Sequence, residues 1–579
     1  MKRALILLVC LCLALGAALS EAGGESGSAR VLVIETTDIH GYIMDVSAGS
    51  ADRIQYRLAR IAFLINRARE SGEYDGVLLL DGGDLYQGAP VSLMTGGAVI
   101  RAALDRMGYD AVGLGNHEFD WDAAEYAGDH EGTLPPYELG DYLGDPKIPV
   151  LAGGLYEAAT GERARFTRDY AVVEKAGKRI AVIGYIPNYR NSIMTSKIAP
   201  YRIDSALSAL SALVRRVNGT ERPDATVILA HCEPAAIAEA MDPGQVQLVC
   251  GGHSHEIRTG TASNGIAYIQ GNCYAYGFAS AVLVMGEDGS VTAEDPSYTD
   301  VYSDRNALYD TPLSAPGLDP EIMDLSRACW DAIQDGMSEV LGYIETPVTG
   351  SRAVGASSAG NWITSLMLRA TRAQGTVAAF YNSGGIRASF KLPKGEASRA
   401  VTVADVYSML PFGNKILVFD ISGRELARQL ENGLKQPNHG DQMSGLTFTY
   451  TATGDPGADR EDREYTVLTV TLDDGTQVDI NGTDAVYRVC TCDFNATVPG
   501  SVFTGRTPVV PEADAPTDNE AVIKALKDLA GENGGYIPVD EGPRGIEVTE
   551  VTEESLKTES PETESPEAAG GAAESGEGS

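Results

Sequence analysis

Short apolar runs recur along the chain from Arg30 to about Asp300, and their spacing organises everything else. VLVIE (31–35), GVLLL (76–80), AVGL (111–114), RIAVIGYI (179–186), TVILA (226–230) and VQLVC (246–250) read as strands buried on both faces. Between the first two, Ile54, Leu58, Ile61, Ile65 and Ala68 recur at helical spacing. Strands alternating with helices predict a layered α/β sheet. A helix is expected at Pro320–Met337, able to connect this region to a second, smaller α/β pattern. That pattern runs over residues 342–546, with a helix from Asn361 and strand-rich runs at TFTYTATG and YTVLTVTL. Beyond Ile546 there is no aromatic residue and an imperfect TESPE repeat, so residues 547–579 read as a disordered acidic tail.

The polar residues fall where these strands end. VLVIE leads into Asp38 and His40, GVLLL into Gly82-Gly83-Asp84, and AVGLG into Asn116-His117-Glu118-Phe119-Asp120. TVILA leads into His231, and VQLVCGG into His253-Ser254-His255. Five of the seven histidines lie in these segments, His130 and His439 being the exceptions. Taken singly, each motif has an ordinary reading as a capped turn or a satisfied histidine. Open α/β sheets bind ligands beyond the carboxyl ends of their strands, so together these residues are placed to converge on one site. Mixed imidazole, carboxylate and amide donors suit zinc, manganese, iron or cobalt. A shared carboxylate such as Asp84 can bridge two such cations.

Composition narrows the partners. At 579 residues the chain needs more than one core. A formal charge of -36 argues against a nucleic-acid polymer, but a metal pair in a cleft reverses the local field and admits a small phosphate ester. Lys2 and Arg3, the apolar run Ala4–Leu19 and the small residues around it make residues 1–20 a signal peptide, and so predict a periplasmic, cell-surface or secreted protein. No later segment is apolar enough for a stable membrane span in the mature chain. Six cysteines remain after the signal, too few for a disulfide scaffold at this length.

The series DIH, GGDLYQG, GNHEFD, a lone strand-end histidine and GHSH resembles the calcineurin-like metallophosphoesterase domain. More narrowly, the chain resembles the exported 5′-nucleotidase family, which includes bacterial UDP-sugar hydrolases and 2′,3′-cyclic-nucleotide phosphodiesterases. The resemblance implies a metallophosphoesterase sheet domain over 29–305, a linker with a helix over 306–341 and a substrate-binding domain over 342–546. It also implies two divalent metal ions, zinc or manganese. By position, Asp38, His40, Asp84 and His255 would hold one, and Asp84, Asn116, His231 and His253 the other. His117 with Asp120 matches the family's catalytic dyad.

In the second domain, AAFYNSGGIRASF places Asn382, Gly384, Gly385 and Arg387 just after a strand. Glycine lets backbone approach a ligand, and Arg can grip phosphate or carboxylate oxygens with two parallel bonds. Phe412, in a Pro-Phe-Gly corner, is open to reading as core or as a stacking plate. The resemblance implies nucleotide contacts for Asn382 and Arg387 and a base plate for Phe412. Two departures stand out. Where relatives often show Gly-Gly-Asp-Gly-aromatic, this chain reads Val498 to Phe503, so Phe503 is expected as the second plate on a different loop. The family's arginine before a Gly-Asn helix start is matched only by Arg352, offset from Gly360-Asn361. The expected activity is release of phosphate from nucleotides. The alternatives are a 2′,3′-cyclic phosphodiesterase with 3′-nucleotidase activity and a non-catalytic nucleotide-binding protein.

Overall fold

The computed structural model describes residues 28–46, 54–120, 148–189, 192–301, 317–350, 357–436, 441–498 and 500–548. The signal peptide, nearly all of the acidic tail, His130, Arg352 and His439 lie outside them.

All six expected strands form, as Ala29–Thr36, Gly76–Asp81, Ala111–Gly113, Lys178–Tyr185, Ala225–Ala230 and Leu248–Cys250. They divide between two six-stranded sheets. In the first, Ala29–Thr36 pairs in parallel with Gly76–Asp81, which pairs in parallel with Ala111–Gly113. In the second, Ala225–Ala230 lies parallel between Lys178–Tyr185 and Leu248–Cys250. Alternate residues of each strand face opposite ways, and this builds the layers. Val31, Val33, Leu78 and Leu80 meet Val182, Val227, Leu229 and Leu248 between the sheets. Leu32, Ile34 and Leu79 face outward onto Leu58, Ile61 and Ile65 of the helix Arg57–Glu70. Ile183, Ile228 and Val249 do the same for a helical layer on the far side. The helix starts at Arg57, so Ile54 belongs to a two-residue strand before it.

Helix Pro320–Met337 packs against Arg57–Glu70 and Ala98–Met107. Asp319 N–H donates to Ala59 O at 2.9 Å, and Asn66 Nδ2 donates to Asp319 Oδ2 at 3.0 Å. The expected connecting helix is thus fastened to the first half. Its Ile322, Cys329 and Trp330 join one apolar cluster with Leu341, Trp362 and Met409 of the second half. There a four-stranded sheet runs Ile416–Ser422, Val486–Cys492, Ala378–Asn382 and Asp441–Ser444. The cysteines at 232, 250, 273, 329, 490 and 492 are free thiols. Among the described residues no helix is long and apolar enough to cross a membrane.

Candidate active site

The strand ends deliver their polar residues through tight, left-handed turns. Asp38 (φ 51°), His40 (φ 49°), Asp84 (φ 56°), His253 (φ 71°) and His255 (φ 58°) all have positive φ. Asp and His tolerate this region better than most side chains, and such backbone persists only where its surroundings hold it. Here they do. Asp38 N–H donates to Gly83 O at 2.9 Å, and His40 N–H donates to Asp84 O at 2.9 Å. Asp81 Oδ1 accepts from Gly83 N–H at 2.8 Å and closes the turn before Asp84. Glycines are required where the turns touch: a Cβ on Gly115 would lie 2.1 Å from Asp84 Oδ1, and one on Gly83 2.7 Å from Gly115 N.

The side chains converge in three groups whose atoms could hold a metal ion: Asp38, His40 and His255; His40, Asp84 and His117; and Asp84, His231 and His253, so that the middle group shares a residue with each of the others. Asn116 Oδ1 lies 2.8 Å from His253 Nδ1 and joins the last. Asp84 belongs to the last two, its Oδ2 3.1 Å from His231 Nε2 and 3.9 Å from His40 Nε2.

This donor set fits cations. His231 is fully buried, and its Nδ1 donates to Gly82 O at 2.8 Å. That assigns the ring proton to Nδ1 and leaves Nε2 as a lone pair facing a carboxylate oxygen. Only a positive charge between them makes the approach favourable. Burial opposes charging the ring, yet Asp84 outweighs it and pushes His231 up to about 10. His40 repeats the pattern. Its Nδ1 donates to Gln87 O at 2.7 Å, and Nε2 meets His255 Nε2 at 3.1 Å. Burial and His255 hold His40 well below the usual histidine range, so a proton is a poor bridge there. A divalent ion resolves both contacts.

His117 stands beside the centre. Its Nδ1 is 2.6 Å from Asp120 Oδ2, and its backbone N–H donates to Asp84 Oδ1 at 2.8 Å. Burial disfavours the charged ring, but Asp120 and Asp84 prevail and raise its pKa. The ring also falls within reach of the His40 and Asp84 donors, with only its second nitrogen left for them.

Glu118, which sequence reasoning gave no role, fastens two of these loops. Its Oε2 accepts from Asp84 N–H at 2.9 Å and Gly115 N–H at 2.6 Å, while Oε1 accepts from Leu85 N–H at 2.7 Å. The Gly115-x-x-Glu118 spacing is that of a capping box, the one signal able to find it.

A cleft of about 1180 Å³ opens above the centre, lined by Asp84, His117 and His255 on one wall and Asn382, Arg387 and Phe412 on the other. Gly384 and Gly385 line it too. Phe412 lies 5.5 Å from the His117 ring, and the Arg387 guanidinium is 5.8 Å from the Phe412 ring. Phe503 does not reach the cleft. It is 1% exposed and packs 5.2 Å from Phe419 and 6.3 Å from Phe380, where its ring joins the second half's apolar core. Phe494, in the short helix Asp493–Thr497 before that loop, lines the cleft instead.

Residues 31–256 match the calcineurin-like phosphoesterase family model, which together with the fold defines the class as metallophosphoesterase. Residues 340–504 match the 5′-nucleotidase C-terminal domain. The first half therefore carries a calcineurin-like phosphoesterase domain and the second a 5′-nucleotidase C-terminal domain. The chain is 24% identical over 517 residues to a 5′-nucleotidase of Vibrio cholerae, covering 81% of this chain and 84% of that one. It is 25% identical over 502 residues to the trifunctional nucleotide phosphoesterase protein YfkN of Bacillus subtilis, covering 81% of this chain and 32% of that relative's length. The chain therefore spans about a third of YfkN. In fold it is similar to a 5′-nucleotidase precursor from Thermus thermophilus, with a TM-score of 0.68 at 22% identity, covering 90% of this chain and 100% of that one.

Proposed function

We propose that this chain is an exported phosphohydrolase with two divalent metal ions, zinc or manganese, that releases phosphate from nucleotides. The observation that carries the reading is Asp84, within reach of His40 on one side and of His231 and His253 on the other, in a cleft whose opposite wall presents Arg387 and Phe412. Asp38, His40, Asp84 and His255 would hold one ion, and Asp84, Asn116, His231 and His253 the other. When bound, such a pair supplies Lewis-acid activation of water and of phosphoryl oxygens.

The chain's own residues do the rest. His117, kept charged and oriented by Asp120 at 2.6 Å, stabilises negative charge developing on the phosphoryl group. Arg387 and Asn382 grip the substrate from the second half, with Gly384 and Gly385 allowing close backbone approach. Phe412 supplies a stacking face for the base. The 2′,3′-cyclic phosphodiesterase reading uses the same centre and differs in substrate and product.

The test is purified protein stripped of metal, reloaded, and assayed on nucleoside monophosphates, 2′,3′-cyclic nucleotides and UDP-glucose. Phosphate release from 5′-monophosphates, lost with the metal and restored by zinc or manganese, is the expected result. Hydrolysis confined to cyclic nucleotides would transfer the assignment to the alternative. Nucleotide binding without turnover of any substrate would make the chain a binding protein.

A further inference from the structure

Imidazole ligands hold a cation in place only if their rings cannot turn. His40 and His231 are fixed by hydrogen bonds from Nδ1 to the carbonyls of Gln87 and Gly82. His253 and His255 have no such backbone anchor among the described residues. His253 Nδ1 has only the side chain of Asn116, at 2.8 Å, and each of the two rings has a tyrosine against it. Tyr189 stacks on His253, with ring centroids 4.1 Å apart and planes 24° apart. Tyr274 meets the His255 ring at 5.2 Å and 78°, an edge-on contact.

The two tyrosines also divide the centre between them. Tyr189 donates its hydroxyl to His231 O at 2.8 Å, so it touches both histidines of the group with Asp84, His231 and His253. Tyr274 packs 5.5 Å from His40 as well, so it touches both histidines of the group with Asp38, His40 and His255. Its position is over-determined. Tyr274 has φ 54°, its N–H donates to Asp38 O at 2.7 Å, and its carbonyl accepts from Arg57 Nη1 at 2.9 Å. Arg57 is buried, paired with Asp45, and lies 4.6 Å and 4.4 Å from the rings of Tyr42 and Tyr276. So much structure to place one ring beside two ligands marks that ring as a brace.

We infer that Tyr189 and Tyr274 are positioning residues, one for each half of the centre: Tyr189 sets the His231 and His253 rings, and Tyr274 those of His40 and His255. The inference rests on the two-ion reading above. Face and edge contacts with aromatic rings fix imidazole orientation without consuming a ring nitrogen, which leaves the remaining nitrogens free for cation or substrate.

The test reads metal affinity, not turnover. Full-length protein stripped of metal is titrated with cobalt(II) against a competing chelator, which resolves two dissociation constants and two ligand-field spectra. His253→Ala and His255→Ala identify which constant belongs to which half. Tyr189→Leu should weaken only the ion assigned through His253, by about tenfold or more, the usual cost of losing a ligand's support. Tyr274→Leu should weaken only the other. Should a leucine variant not fold, the methionine variant, which also removes the ring, carries the same test, and the phenylalanine variants separate ring from hydroxyl. Tyr274→Phe should leave both constants unchanged, and Tyr189→Phe should weaken only its own ion through the lost hydroxyl bond. Leucine variants with unchanged constants, or with both constants weakened alike alongside a lower melting temperature, would overturn the inference. Wild-type protein that takes up fewer than two ions would overturn the two-ion reading itself, a result separable from either.

Discussion

At the scale of single residues, the centre is built from side chains whose backbone sits in a region most residues avoid. The turns that impose it need bare Cα atoms at their crossings, and Gly115 is the sharpest case. A methyl there would fall 2.1 Å from Asp84 Oδ1 and 2.5 Å from Asp84 N, a clash with a backbone atom that no rotamer change relieves. Gly115→Ala should therefore fold, move Asp84, and weaken metal binding by about tenfold or more. Calorimetric titration of stripped protein checks this, and two undiminished sites in that variant would refute the bridging place given to Asp84. His117 predicts the opposite split. His117→Ala should keep both ions yet lose on the order of 10²-fold in kcat, the scale for removing one electrostatic stabiliser. Loss of an ion from that variant, by metal analysis, would make His117 a ligand.

At the scale of elements, loops at strand ends carry the chemistry, and one buried carboxylate joins two of them. Glu118 accepts three backbone N–H bonds, from Gly115, Asp84 and Leu85. Burial and the nearby Asp84 push its pKa up to about 7, so its place is costly for the charged form and is offset by those bonds and by the nearby His231. Glu118→Ala leaves those N–H groups without their acceptor, at about 1–3 kcal/mol for each one that stays unsatisfied. Urea unfolding of the metal-free protein should show the loss, and a midpoint equal to wild type would mean that water replaces the carboxylate.

This element also shows where the sequence was legible. The strands were plain because both faces of each are buried, so Val31 and Leu32 are equally apolar although they face different layers. The proposed ligands were plain because their chemistry is concentrated at carboxyl strand ends. Glu118 was not, since a carboxylate bound to backbone N–H groups of another loop leaves no trace in spacing except its bond to Gly115. Nor was the fate of Phe503. A lone aromatic in a loop reads the same whether it faces a cleft or, as here, Phe380 and Phe419.

At the scale of the whole molecule, the candidate centre and the groups proposed to grip substrate come from opposite halves, and the cleft exists only with both present. Asp84 and His117 line one wall, while Arg387 and Phe412, far along the chain, line the other. Helix Pro320–Met337 decides where the halves can be parted. Its apolar face, with Ile322, Cys329 and Trp330, belongs to the cluster that holds Ile61, Ile65 and Leu104 of the first half. A fragment ending near residue 305 would expose those side chains to water and should aggregate. One extended through Met337 keeps them covered. That longer fragment should bind metal and hydrolyse a small ester such as p-nitrophenyl phosphate weakly, without preferring nucleotides. In the full chain, Phe412→Ala should raise KM for a nucleotide by about 1–3 kcal/mol, the worth of one stacked base, and leave the small ester nearly unaffected. Equal effects on both substrates would make Phe412 a wall residue only. Undiminished nucleotide preference in the longer fragment would place specificity in the first half and remove the second from substrate recognition.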